Sequence, residues 1–302
     1  MNIYLPIAEI SVNIFAILAL GGVTGVLSGL FGVGGGFLMT PLLIFMGVPP
    51  SVSVATVANQ IIASSLSGFL AHLRRKNVDF KIGWYLLSGG IVGSTLGVFL
   101  FRWLKEIGHV DLIISILYVT FLGIIGSMMA TESIRTILKI SRKYEENEKP
   151  TLAQRMPLKV HFPHSKLHIS AIMPILIGLF VGVMVSMMGI GGGFFLLPAM
   201  IYLLGMPTNV VIGTSLLQII FITANVTFLQ AITTQTVDIL LALILIAGSV
   251  FGAQIGIRIG DKLPAHYLRA MLAVIVLGVA IKLAFTLFTP PDNVYSVSVI
   301  DD

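Results

Sequence analysis

The chain has 302 residues, of which 56% are apolar and 10% charged, against about 45–50% and 25% in an average soluble domain. So few polar side chains cannot cover a water-facing surface, which excludes a soluble enzyme. The 18 Lys and Arg and 13 Asp and Glu give a net charge of +5, gathered in short stretches between long uncharged runs, the pattern of a polytopic membrane protein.

The sequence has no cysteine, so it has no disulfide frame, thiolate zinc site, haem-attachment motif or cysteine nucleophile. Met1 to Ser11 carries no Lys or Arg, whereas a cleavable secretory leader opens on a basic region. Residues from Ile10 onward are therefore read as mature membrane sequence.

Eight apolar stretches are long enough, at about 1.5 Å per residue, to cross a hydrocarbon core of about 30 Å. They are residues 10–31, 52–73, 82–104, 110–131, 170–189, 209–230, 236–258 and 266–289. Trp84 and Trp103 bracket the third, as amphipathic rings do at headgroup level. Phe37–Val48 and Phe194–Gly205 are too short to span and read as half-helices.

The chain repeats itself. At one constant offset Gly21, Gly25 and Gly29 match Gly178, Gly182 and Ser186, the run Gly32-Val-Gly-Gly-Gly-Phe37 matches Gly189-Ile-Gly-Gly-Gly-Phe194, and Pro41 matches Pro198. After single-residue slips, Gly47-Val-Pro49 pairs with Gly205-Met-Pro207, Thr56 with Thr214, Gln60 with Gln218 and Asp79 with Asp238. The triple Gly89, Gly93, Gly97 then falls on Gly248, Gly252, Gly256. Matches in this order across both halves indicate duplication.

Charge predicts how the copies sit. The loop after the third element of copy one holds Arg74, Arg75, Lys76 and Lys81, and its counterpart, 231–237, has no basic residue. The positive-inside rule then points the copies in opposite directions. With five elements per copy, fifteen of the eighteen basic residues fall in cytoplasmic loops, and only Arg102, Lys105 and Lys282 lie outside. Both termini are expected outside, and the acidic tail of Asp292, Asp301 and Asp302 agrees. The organisation is a first transmembrane repeat over 1–131, a cytoplasmic linker over 132–169, and a second repeat with a short outside tail over 170–302. The linker mixes Glu145, Glu146 and Glu148 with eight bases and three prolines, and its His161, His164 and His168 read as solvated beside an anionic lipid surface. No acid or thiol spacing completes a metal set around them.

Each glycine run interrupts an apolar stretch and precedes a half-helix. Unwound backbone at membrane depth is tolerated where the freed groups line a cavity or meet a ligand. A half-helix aims its N-terminal N–H groups and positive dipole end at the break. Two such ends converging near the midplane make an anion site without a fixed charge. The candidate backbone donors are Gly34, Gly35, Gly36, Gly191, Gly192 and Gly193. A dinucleotide fingerprint fails, because Phe37 or Phe194 stands where its third glycine belongs. The four-spaced glycine triples read instead as close helix contacts.

Candidate side-chain donors follow on the next span. Thr56 and Gln60, like Thr214 and Gln218, share one helix face at i and i+4 and present a hydroxyl with an amide, and Asn59 adjoins them. Interhelical hydrogen bonding is the competing role for each, and the better one for Asn225, Thr223, Ser64 and Ser65. No Asp, Glu, Lys or Arg lies in the middle third of any span, so the usual markers of a proton relay or voltage sensor are missing. No HExxH motif or pair of membrane aspartates suggests an enzyme.

On the paired Gly-Val/Ile-Gly-Gly-Gly-Phe runs, followed by Pro41 or Pro198 and then Gly47-Val-Pro or Gly205-Met-Pro, the chain resembles the TauE/SafE-like sulfite exporter family over about residues 10–289. The resemblance implies transport of a small sulfur-containing anion such as sulfite, a sulfonate, thiosulfate or sulfate. The expectation is therefore an all-α integral membrane protein of two inverted-topology repeats, with eight full spans and two half-helices. It would lie in the inner membrane, exporting such an anion by alternating access. The alternatives are sodium- or proton-coupled uptake and, from another class, a non-transporting membrane interaction protein. No cofactor, metal or nucleic acid is expected. The partners are the anion and the bilayer, and the glycine faces leave a homodimer open.

Overall fold

The computed structural model describes residues 2–31, 36–137, 158–162, 165, 167–260 and 265–288. Strands β1 (Asn2–Leu5) and β2 (Ile10–Asn13) form a hairpin with Leu5 opposite Ile10. The helices α1 (Ile14–Phe31), α2 (Gly36–Phe45), α3 (Pro50–Arg74), α4 (Phe80–Glu106) and α5 (Val110–Ile137) follow. A second hairpin, β3 (Lys159–Phe162) with β4 (Leu167–Ser170), opens the other half. Then come α6 (Ile172–Met188), α7 (Gly193–Pro198) running into a π-turn over Ala199–Leu203, α8 (Thr208–Thr233), α9 (Ile239–Gly260) and α10 (Ala265–Phe288).

Six helices among the described residues are long and apolar enough to cross a membrane, on α3, α4, α5, α8, α9 and α10. The expected spans 10–31 and 170–189 are shorter as helices, because their first residues lie in the hairpins: their apolar parts are Ile14–Leu30 and Ile172–Met188. At about 1.5 Å per residue each covers about 26 Å. The half-helix expected at 37–48 is α2, stopped by Gly47 at φ 87°, and the one at 194–205 is α7 with its π-turn, stopped by Gly205 at φ 72°. Both hairpins depart from the all-α expectation. β3 and β4 also sit inside the expected linker, into which α5 runs as far as Ile137.

The main helix contacts come in reciprocal pairs. α1 lies along α9 and α4 along α6, while α3 packs on α8 and α5 on α10. Glycine makes the first two contacts close. A Cβ built on Gly25 would lie 2.4 Å from the Ser249 carbonyl oxygen, on Gly252 2.2 Å from that of Gly22, and on Gly256 2.1 Å from that of Val26. In the other pair, a Cβ on Gly93 would lie 2.0 Å from the Leu179 oxygen and on Gly178 2.0 Å from that of Leu86. No side chain fits at such distances, so backbone packs on backbone, the means by which helices associate without a hydrophobic drive. Trp84 and Trp103 are both exposed on α4.

Buried aspartates hold the ends. Asp79 caps α4, its Oδ1 accepting from the Ile82 N–H at 3.1 Å, and its Oδ2 accepts from the Ser165 hydroxyl at 2.6 Å. Asp238 accepts from the Leu241 N–H at 3.0 Å and, through Oδ2, from the Ile7 N–H at 3.2 Å. Each hairpin turn is thus tied to the first turn of a helix in the other half.

Candidate functional site

The second glycine break is fully described. Gly189 ends α6 at φ 63°, donating to the Val185 oxygen at 2.8 Å, and Gly191 and Gly192 both sit at φ 78°. These left-handed values suit glycine and strain other residues. The Gly192 oxygen accepts from the Phe195 and Leu196 N–H groups and so starts α7. The buried N–H groups of Gly191, Gly192 and Gly193 meet no acceptor among the described residues. Successive backbone N–H groups in such a turn can form an anion-binding concavity.

Gly36, which follows the first glycine run and opens α2, meets the second break against α3. A Cβ on Gly36 would fall 2.2 Å from Ile61 Cδ1 and 2.7 Å from the Gly189 oxygen, and one on Gly191 would fall 2.7 Å from Ile61 Cγ2. Gly189 lies against Val54 in the same way, at 2.7 Å from its oxygen. Gly36, Gly189 and Gly191 therefore share the strip of α3 between Val54 and Ile61. Gly34 and Gly35, the remaining expected backbone donors, lie outside the described residues.

Gln60, the neighbour of Ile61, is wholly buried, and neither its Nε2 nor its Oε1 has a hydrogen-bond partner. Leaving a buried donor or acceptor unpaired costs about 1–3 kcal/mol. Asn59 adds an unpartnered Nδ2. The buried Gln218 turns its Nε2 to the Leu86 oxygen at 3.4 Å and leaves Oε1 unpartnered.

The two threonines are engaged elsewhere. Thr56 Oγ1 accepts from the Asp238 N–H at 3.0 Å, and Thr214 Oγ1 accepts from the Asp79 N–H at 2.9 Å while donating to the Val210 oxygen at 2.8 Å. Asn225 makes the interhelical contact expected of it, donating to Ser94 Oγ at 2.9 Å and to Thr95 Oγ1 at 3.2 Å. Thr223 and Ser64 bond their own helices instead, at the Ile219 and Ile61 oxygens.

Sequence reasoning missed three residues near the break. Tyr118 of α5, fully buried, donates its hydroxyl to the Met188 oxygen, satisfying a carbonyl freed where α6 ends. Thr40 on α2 turns its buried hydroxyl toward that of Tyr118. Gln230 donates Nε2 to the Ser186 oxygen at 3.2 Å and leaves Oε1 unpartnered. At the offset that pairs Gln60 with Gln218, Gln230 aligns with His72, so the search for identical residues passed over it.

Of the linker histidines, His161 and His168 are exposed and stack across β3 and β4 with centroids 4.2 Å apart, and His164 lies outside the described residues. No group of three or more His, Cys, Asp or Glu suited to a metal occurs among the described residues.

The comparisons with known proteins agree with one another. The family model for the sulfite exporter TauE/SafE matches residues 17–283. A probable membrane transporter protein of Bacillus subtilis, YjnA, is 32% identical over 89% of this chain and 98% of its own length. A second from the same organism, YunE, is 26% identical over 89% and 96%. Sulfite exporter TauE/SafE family protein 3 of Arabidopsis thaliana is 36% identical over 32% of this chain and 21% of its own length. No solved structure matches. With six helices among the described residues long and apolar enough to cross a membrane and a family match over most of its length, the chain is a multi-pass membrane transporter belonging to the sulfite exporter TauE/SafE family.

Proposed function

We propose that this transporter exports a small sulfur-containing oxyanion, such as sulfite or an organosulfonate, from a midplane site at the two glycine breaks. The observation that carries the reading is Gln60: a buried amide with no partner, beside the one α3 residue that both Gly36 and Gly191 touch. Backbone N–H groups of Gly34, Gly35, Gly36, Gly191, Gly192 and Gly193 would hold the anion, with Gln60, Gln218 and Asn59 beside them. In this arrangement Thr56 and Thr214 would act as hinges between the halves, since their hydroxyls join α3 to α9 and α8 to α4.

The repeats are read as inverted. The Asp238 contact with Ile7 and the bond from Lys105 Nζ to the Thr234 oxygen at 2.7 Å gather one set of loops. The Asp79 contact with Ser165 and the bond from Lys81 Nζ to the His161 oxygen at 2.8 Å gather another. The starts of α1 and α6 thus fall in different sets, as opposed repeats require. The second set holds most of the basic residues, which supports reading it as the cytoplasmic side of an inner membrane, with the first set outside. Rocking one helix set against the other would expose the site alternately, with 132–169, which includes the end of α5 and the β3–β4 hairpin, joining the repeats.

Voltage alone can drive export. An anion leaving a negative interior gains about 2.3 kcal/mol per charge per 100 mV. The test is sulfite release from liposomes holding the purified chain, under an imposed voltage and without ion gradients. Saturable flux lost in the Gln60→Leu/Gln218→Leu double variant is expected. Flux only when sodium or protons are supplied would favour coupled uptake, and no flux under any gradient would overturn the reading.

A further inference from the structure

The buried polar groups left over on α3 and α8 are not all donors. Gln60 offers both ends of its amide. In Gln218 the Nε2 faces the Leu86 oxygen, and in Gln230 it faces the Ser186 oxygen, three residues before Gly189. Flipping either amide would set two oxygens against each other. The unpartnered ends are therefore the two Oε1 atoms, which accept hydrogen bonds and cannot give them. A fully deprotonated oxyanion has only acceptors to offer. It would suit the glycine N–H groups and leave the Gln218 oxygen facing a lone pair; Gln230, twelve residues and about 18 Å further along α8, is too distant to share that anion. A ligand that keeps a proton satisfies both kinds of group.

Charge points the same way. No charged side chain lies in the middle third of any span. Lys282 of α10 stands 4.2 Å above the ring of Phe45, which is nine residues and about 13 Å along α2 from Gly36. The cost of taking an ion out of water rises with the square of its charge in the Born description. Backbone dipoles without a cation offset that cost far more readily for one charge than for two.

Resting on the anion site proposed above, we infer that the species carried is a singly charged oxyanion retaining one proton, hydrogensulfite in preference to sulfite, and that sulfate is rejected. Each anion that crosses takes its proton with it.

The experiment uses the full chain in liposomes at fixed voltage and fixed total sulfite, with pH stepped across the second ionisation of sulfurous acid. Sulfate, doubly charged throughout, and methanesulfonate, singly charged without an acidic proton, run beside it. Sulfite flux should follow the hydrogensulfite fraction, falling about tenfold per pH unit above that ionisation. Methanesulfonate flux should be slower and level with pH, and sulfate flux at least about tenfold below hydrogensulfite.

Sulfite flux that holds or rises with pH, or sulfate carried as fast, would overturn this inference and leave the transporter of sulfur anions standing. Methanesulfonate flux falling as steeply as sulfite flux would assign the titration to the protein and overturn it too. Absence of flux for every sulfur anion would overturn the export reading itself. In Gln218→Leu, which lacks one accepting oxygen, the preference for hydrogensulfite over methanesulfonate should narrow, and an unchanged ratio would contradict the part given to that oxygen.

Discussion

Phe37 and Phe194, the residues that close the glycine run in each half, stack on one another with ring centroids 5.0 Å apart and planes 9° from parallel. Two residues at equivalent places in a repeat meet in this way only where the repeats meet. Phe194 also makes an edge contact with Phe195, and Phe195 with Phe121 of α5 and Phe180 of α6. The first turns of α2 and α7 are thereby held side by side. Phe37→Ala should lower the melting temperature, by the loss of about 3–5 kcal/mol usual for a buried aromatic. Phe37→Leu should retain most of the stability and show whether flux needs the ring stack.

The glycine contacts of α4 with α6 predict a contrast within one residue type. Gly93→Ala sets a methyl about 2.0 Å from the Leu179 backbone oxygen and should force the helices apart, costing about 1–3 kcal/mol. Gly123→Ala on α5 meets nothing within 4 Å and should leave the melting temperature level or slightly raised. Thermal unfolding in detergent separates the two.

At the break, Gly191→Ala combines a left-handed φ of 78° with a contact 2.7 Å from Ile61 Cγ2. Gly47→Ala has φ 87° with nothing within 4 Å. Both should lose about 1–2 kcal/mol to backbone strain. Flux per folded molecule should fall at least about tenfold in Gly191→Ala alone, since of the two only that residue lies in the break, against Ile61, the chain neighbour of Gln60.

Tyr118→Phe removes the donor that satisfies the Met188 oxygen where α6 ends. The buried carbonyl left behind should cost about 1–3 kcal/mol. A drop in melting temperature against wild type checks this, and no change would mean that the carbonyl finds another partner.

Asp79→Ala should cost about 1–2 kcal/mol through the lost α4 cap and free the hairpin turn at Ser165. Faster proteolysis within β3 and β4 is expected, with β1 and β2 unaffected. Asp238→Ala should do the reverse, releasing the turn at Ile7.

Much of this was legible in the sequence because membrane depth leaves few ways to place a polar or a missing side chain. The four-spaced glycines name the closest helix pairs, and the doubled glycine run names the breaks. The hairpins were hidden by the apolarity of their strands: Ile3, Leu5, Ile10 and Val12 look like the start of a span, and only the Leu5-Pro6 and Phe162-Pro163 pairs, at the offset of the repeat, signal a turn. The roles of Thr56 and Thr214 were hidden for another reason. Each hydroxyl's partner is a backbone N–H in the other half, and neither spacing nor face records which helix of the other half lies opposite. Tyr118 has no such signal, since α5 carries none of the matched motifs.

The most direct test of the anion site is equilibrium binding of sulfite to the purified chain and to Gln60→Leu. Replacing an amide that has no protein partner leaves no group orphaned, so the variant should melt at or above the wild-type temperature. Wild type should bind saturably and the variant at least about tenfold more weakly, the cost of one lost charge-assisted hydrogen bond. Equal affinity in the two proteins, or no binding by wild type, would contradict the anion site.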